Sequence, residues 1–154
     1  MKFFIKENIY YLALVVTIFL LDRFSKLEII NNFSENVYYI NNFINFDLIW
    51  NTGIGFGLLN FDSSIIYNLI SSLIGAIIMY LAYLMIHSKG FDKFIYSVII
   101  GGAIGNFYDR ISYKAVPDFV DLHYNNFHWF TFNLADVFIS IGIILFLFRG
   151  NIFN

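Results

Sequence analysis

The 154 residues are 59% hydrophobic, 21% aromatic and 13% charged, with a mean hydropathy of +0.69, which is too apolar and too poor in charge for an ordinary soluble domain. A net charge of −2 with no long basic run excludes an electrostatic footprint for nucleic acid. The absence of cysteine excludes disulfides, thiolate nucleophiles and cysteine-ligated metals. At roughly 20 residues per bilayer crossing, the length accommodates about four spans plus loops and no separate soluble domain.

In chain order, the N-terminal Met1-Lys2-Phe3-Phe4-Ile5-Lys6 has the basic character of a signal peptide, but no small-residue cleavage site follows, and it reads as part of a retained first helix. The first apolar run, Ile9 to Leu21, continues in helical character to Ile30 because no Pro or Gly interrupts it. Asp22 then falls near one membrane surface. Val37 to Trp50 is rich in β-branched and aromatic residues punctuated by Asn, which predicts a small extracytoplasmic strand pair. Gly53, Gly55 and Gly57 make a flexible or close-packed stretch after it. Ile65 to Ile86 carries no charge and is the clearest span. A third helix from about Phe94 carries Gly101, Gly102 and Gly105, with a small-xxx-small step suited to close helix contact. The segment from Asp109 to Phe132 contains Pro117 and an aromatic cluster, His128-Trp129-Phe130, and reads as an outer segment at the membrane interface. The fourth span starts at about Leu134. The resulting expectation is an all-α membrane protein forming one integral membrane domain over 1–154, with spans near 8–30, 65–86, 94–109 and 134–149.

Orientation follows from the basic residues. Lys2 and Lys6 precede the first helix, Lys89 and Lys93 lie between the second and third, and Arg149 follows the fourth, while Asn31 to Ser64 has neither Lys nor Arg. Both termini are therefore expected in the cytoplasm. Arg23, Lys26, Arg110 and Lys114 on the opposite side weaken this bias.

Ionisable groups at membrane depth are costly, so each requires a partner or a task. Asp136, in Phe132-Asn133-Leu134-Ala135-Asp136, has a bland reading as a helix-capping carboxylate with Asn133 as N-cap, and the same dipole would keep a catalytic carboxylate ionised. Asp118 follows Pro117, which holds the chain extended; alone it reads as a loop acid paired with Lys114 or Arg110. Asp121 is equally a solvated loop acid. Asp22 bridges to Lys26 one turn on, an exposed pair of little worth. Asn51 is a turn residue, Asn106 an interhelical hydrogen-bonding group, and Asp109-Arg110 a local ion pair at a helix end. His87 reads as a cytoplasmic loop residue, and His123 and His128 as interfacial. Three scattered histidines do not make a metal site. Ser25 and Lys26 are consecutive helix residues about 100° apart and are discounted as a dyad. Two carboxylates on one face, in a chain lacking Cys, an H-E-x-x-H pair or a G-x-S-x-G elbow, suggest that Asp118 and Asp136 activate a water between them.

Taken in order, Leu21-Asp22-Arg23-Phe24-Ser25-Lys26, Asn51-Thr52-Gly53, Gly101-Gly102-Ala103-Ile104-Gly105-Asn106-Phe107-Tyr108-Asp109-Arg110, Val116-Pro117-Asp118-Phe119 and Phe132-Asn133-Leu134-Ala135-Asp136, the chain resembles the lipoprotein signal peptidases, or signal peptidase II. The resemblance implies a bacterial inner-membrane aspartyl endopeptidase that cuts prolipoproteins before a diacylglyceryl-modified cysteine. It further implies four transmembrane helices with a small β-structure, an outer loop over a site on the outer face, and no cofactor or metal. Diacylglyceryl-prolipoproteins and membrane lipids would be its partners, and globomycin-type cyclic peptides its inhibitors. Matched residue by residue, Asp118 and Asp136 fall on the catalytic aspartates. Asp22, Asn51, Gly53, Asn106, Arg110 and Asn133 fall on positions that support the dyad or bind substrate. The chain departs from the family pattern at Ile54 and Gly55, where small Ala-like residues are usual, and at Pro117, where an aliphatic residue is common. Two rivals remain open at this point: a small transporter with charges along an ion path, which the uninterrupted Ile65 to Ile86 span disfavours, and a non-catalytic membrane partner.

Overall fold

The computed structural model describes residues 2–53 and 64–152. Four helices and one antiparallel sheet make up this part of the chain: α1 (Lys2–Asn32), β1 (Tyr38–Asn41), β2 (Ile44–Asn51), α2 (Ser64–His87), α3 (Gly90–Tyr113), β3 (Val116–Tyr124), β4 (Phe127–Phe132) and α4 (Leu134–Ile152). Ile54, Gly55 and Gly57, and with them the expected flexible stretch, lie outside the described residues.

The sheet is larger than the sequence suggests. The expected strand pair is present as β1 and β2, but the segment expected as an interfacial loop is a second hairpin, β3–β4, and the strand order is β1-β2-β3-β4. Alternation was hard to read in Val116–Tyr124 because β3 is inner, paired on both sides, and six of its nine residues are buried. Pro117 lies opposite Trp50 on the β2 side, beyond the end of the β4 ladder, so its missing N–H costs no pairing there. Lys114 in the left-handed region (φ 57°) ends α3 and turns the chain into β3.

α3 is the hub, packing against α1, α2 and α4. Its glycines permit this approach on two sides. A Cβ on Gly102 would come within 2.5 Å of the Ala135 carbonyl oxygen at the start of α4, and one on Gly105 would overlap the Asp22 carboxylate of α1. Gly105→Ala is expected to lower stability by at least about 2 kcal/mol, because overpacking has no relief where the blocking carboxylate is itself pinned. Thermal melting in detergent reads this loss, and an unchanged melting temperature would remove the tight α1–α3 contact from the account.

The outside of the bundle is apolar. Ile65, Leu69, Leu73 and Met79 on α2 are each more than 60% exposed, and Leu147 on α4 is 70% exposed, a surface far beyond what a monomer presents to water. By length and composition, one helix among the described residues, Ile65–His87, is apolar enough to cross a membrane, with a mean hydropathy of 2.2. Of the charges in α1 and α3, Asp22, Lys26, Lys93 and Asp109 are turned inward and fully buried.

Candidate active site

Asn133 joins the two predicted aspartates. Its Nδ2 donates to Asp118 Oδ1 (2.6 Å), its backbone N–H donates to Asp136 Oδ2 (3.1 Å), and its Oδ1 accepts the Asp136 backbone N–H (3.1 Å). The last two bonds are a reciprocal cap at the start of α4, as the sequence suggested. The capping residue therefore also links the two carboxylates. Every carboxylate oxygen of the pair has a donor: Asn51 Nδ2 reaches Asp118 Oδ2 (2.9 Å) and Asn106 Nδ2 reaches Asp136 Oδ1 (2.7 Å). Asn51 is oriented in turn by the Gly53 N–H, which donates to its Oδ1 (3.0 Å). Four elements thus converge, with Asp118 from β3, Asn51 from the end of β2, Asn106 from α3 and Asp136 from α4.

The site differs in several respects from the residue-by-residue reading. Asp118 pairs with neither Lys114 nor Arg110; its partners are amides. Asp109 is bonded to Arg23 and Lys26 of α1 instead of its neighbour Arg110. Lys26 does bridge to Asp22, but the pair is wholly buried, which reverses the expectation of an exposed contact. Asp121 is 2% exposed and accepts from His128 and Asn45, so it is no solvated acid, and His123 beside it is buried as well. Ser25 hydroxyl donates to the Asp22 carbonyl and takes no part with Lys26.

Lys26 is the residue that sequence reasoning undervalued. Its ammonium donates to Asp22 Oδ2 (2.7 Å), Asn106 Oδ1 (2.8 Å) and Asp109 Oδ2 (2.7 Å), using all three protons. Asp22 also accepts the Ala135 N–H at the start of α4 (2.9 Å), tying α1 to the segment that carries Asp136. The available signal was a charged i,i+4 pair interrupting an apolar helix, a pattern that in a bilayer calls for burial against a third partner.

A cavity of about 450 Å³ opens over the pair. Its polar end is formed by Asn51, Asn106, Arg110, Asp118 and Asp136, and its apolar wall by Phe130, Val137, Ile141 and Ile144 among others. Arg110 also donates to the Asn106 backbone carbonyl (3.1 Å). Burial pushes the Asp118 carboxyl up from the ordinary 3.8 to about 6, and the Asp136 charge acts in the same direction; the amides of Asn51 and Asn133 and the Lys26 charge oppose the rise. Such an arrangement is competent for water activation by paired carboxylates.

The family model described as signal peptidase (SPase) II matches residues 14–152. A lipoprotein signal peptidase of Pelagibacter ubique is 45% identical over 93% of this chain and 88% of its own length. One from Rickettsia conorii is 41% identical over 86% of this chain and 68% of its own, and one from Thermodesulfovibrio yellowstonii is 37% identical over 88% and 90%. A solved bacterial membrane enzyme superimposes with a TM-score of 0.75 at 25% identity, covering 91% of this chain and 86% of that one.

Proposed function

Because the chain belongs to the signal peptidase II family, proteases that remove signal peptides from prolipoproteins, we propose that Asp118 and Asp136 are its catalytic aspartates, supported by Asp22, Asn51, Gly53, Asn106, Arg110 and Asn133. The observation that carries this reading is Asn133 hydrogen-bonded to both carboxylates at the polar end of the cavity. One aspartate, ionised, takes a proton from water; the other, protonated, polarises the scissile carbonyl. The mechanism draws on two carboxylates and a water and on no metal or cofactor, so cleavage is expected to withstand chelators.

The substrate in this proposal is a prolipoprotein whose cysteine already carries diacylglyceryl. Its acyl chains lie along Val137, Ile141 and Ile144 while the peptide crosses the aspartates, and globomycin-type cyclic peptides inhibit by occupying the same cavity. Purified protein should cleave the lipid-modified precursor and leave the unmodified one intact; equal cleavage of both would sink the lipid-dependent part. Truncating Ile144 to Ser is expected to raise KM for the modified substrate about tenfold while sparing kcat, from the apolar area removed.

The whole chain is proposed as one integral domain with four membrane-crossing helices, surrounded by lipid in the bacterial inner membrane, with both termini in the cytoplasm and the sheet and cavity at the outer face. The empty Asn31 to Ser64 stretch supports this orientation, and burial of Arg23 and Lys26 against carboxylates removes two of the basic residues that weakened the bias. Since the chain contains no cysteine, Lys89→Cys and Asn125→Cys offer a clean topology test. An impermeant thiol reagent added outside intact cells should label position 125 and not position 89, and the opposite pattern would invert the orientation.

A further inference from the structure

Both aspartates accept two hydrogen bonds, yet their donors differ in what lies behind them. Asp118 is 5% exposed and faces two neutral amides, Asn51 and Asn133, whose oxygens are held by the backbone N–H groups of Gly53 and Asp136. Asp136 is less buried, lies in the first turn of α4 where the helix dipole favours negative charge, and accepts a backbone N–H together with the amide of Asn106. Behind that amide stands the Lys26 ammonium.

An asparagine amide can present either its oxygen or its nitrogen to a neighbour, and the choice follows from the network. Lys26 has donors and no acceptor, so the Asn106 atom facing it must be the oxygen, and the nitrogen must then face Asp136. Polarisation along this chain strengthens the final bond to a carboxylate and penalises a carboxylic acid at the same place. Among the described residues, the charged or polar groups around the pair include Lys26 and Asp22 from α1, standing behind it, Asn51 from β2, Asn106 and Arg110 from α3, Thr131 from β4, Asn133 ahead of α4 and Ser140 from α4. Among the described residues, the chain through Asn106 is the one hydrogen-bonded path from the pair that leads to a cation. Two carboxylates bonded to the same asparagine do not both ionise cheaply.

We infer that Lys26 is a positioning residue for the reaction: acting through Asn106, it makes Asp136 the ionised member of the pair and leaves the proton on Asp118. The inference rests on the assignment of these two aspartates as catalytic. In the reaction, water oxygen bonds to the scissile carbon, its proton passes to Asp136, and the Asp118 proton passes to the carbonyl oxygen. The carbon–nitrogen bond then breaks, the leaving nitrogen takes the proton from Asp136, and Asp118 recovers one from the hydroxyl, so the pair returns to its starting state.

The test compares Lys26→Met/Asp22→Asn with Asn106→Leu and with all three changes combined. Neutralising Asp22 along with Lys26 keeps the buried charge balanced, leaves the Arg23–Asp109 pair intact, and retains an acceptor for the Ala135 N–H. Lys26 does not line the cavity, so KM should stay within about twofold while kcat falls on the order of 10²-fold, the scale of a misplaced catalytic group. In both variants the acidic limb of the pH profile should move to higher pH, because Asp136 has lost an oriented donor, and the triple variant should lose less than about threefold beyond either. Losses that multiply, or an acidic limb that stays in place, would overturn the inference. If the Lys26 variant does not fold, Asn106→Leu, which leaves every ion pair in place, decides alone by the position of that limb. Normal cleavage by Asp118→Asn and Asp136→Asn would instead remove the catalytic assignment itself; inactive aspartate variants with an unmoved limb in Asn106→Leu would remove the positioning role only.

Discussion

Asp118→Asn and Asp136→Asn are each expected to lower cleavage of a lipid-modified prolipoprotein on the order of 10³-fold or more while the protein still folds. The size follows from losing a general acid or base at the reacting atoms. Retention of the fold follows from geometry. Each replacement keeps one oxygen acceptor, and the contacts between α3 and α4 do not depend on the carboxylates alone, since Gly102 packs directly on the Ala135 backbone and Gly142 against Ile99. The cost is one mismatched amide facing Asn51 and Asn133 or Asn106, roughly 1–3 kcal/mol. Cleavage kinetics paired with thermal melting measure both quantities, and a folded aspartate variant with near-normal turnover would sink the dyad. Because the pair acts as a unit, the double variant should be scarcely worse than either single one.

The second large effect concerns pH. With Asp118 at about 6 in the folded protein against 3.8 as its ordinary value, the folded state binds a proton more tightly than the unfolded state. The stability this contributes is fully present below about pH 4 and is lost as pH rises through about 6. The corresponding difference is about 3 kcal/mol, at 1.36 kcal/mol per pK unit. Comparison of the parent with Asp118→Asn isolates it: the stability of the parent relative to the variant should decline between about pH 4 and pH 6 and level off above. A difference constant across that window would contradict the burial-driven rise. Activity should follow the same group. If Asp118 must hold a proton, kcat/KM for the free enzyme falls as pH rises through about 6, and the apparent values describe the coupled pair.

How much of this was legible from residues alone varies by element. α2 was plain because 22 uncharged residues in a row admit one interpretation in a bilayer. The β1–β2 pair was visible in its β-branched and aromatic content. The β3–β4 hairpin was missed since an inner strand buried on both faces loses its alternation and Pro117 argued for a loop. Asp121 looked solvated for the same reason.

The site divides in a similar way. Asp118 and Asp136 were identified by type, spacing and resemblance, and the Asn133–Asp136 cap by its local pattern, because a helix N-terminus is built from residues adjacent in the chain. Partners distant in sequence were not accessible to such reasoning. Asp109 was assigned to its neighbour Arg110, while the fold pairs it with Arg23 and Lys26, 86 and 83 residues away. The sequence by itself determined that this chain lives in a bilayer, where its helices and first hairpin fall, and which carboxylates are candidates for chemistry, since hydropathy and local capping are short-range properties. Only the tertiary structure decided that Asn133 touches both aspartates, that Asp118 is desolvated, and that the Lys26 ammonium stands behind Asn106. Burial and hydrogen-bond partnership are set by which helices and strands meet, and those contacts join residues that the linear order keeps far apart.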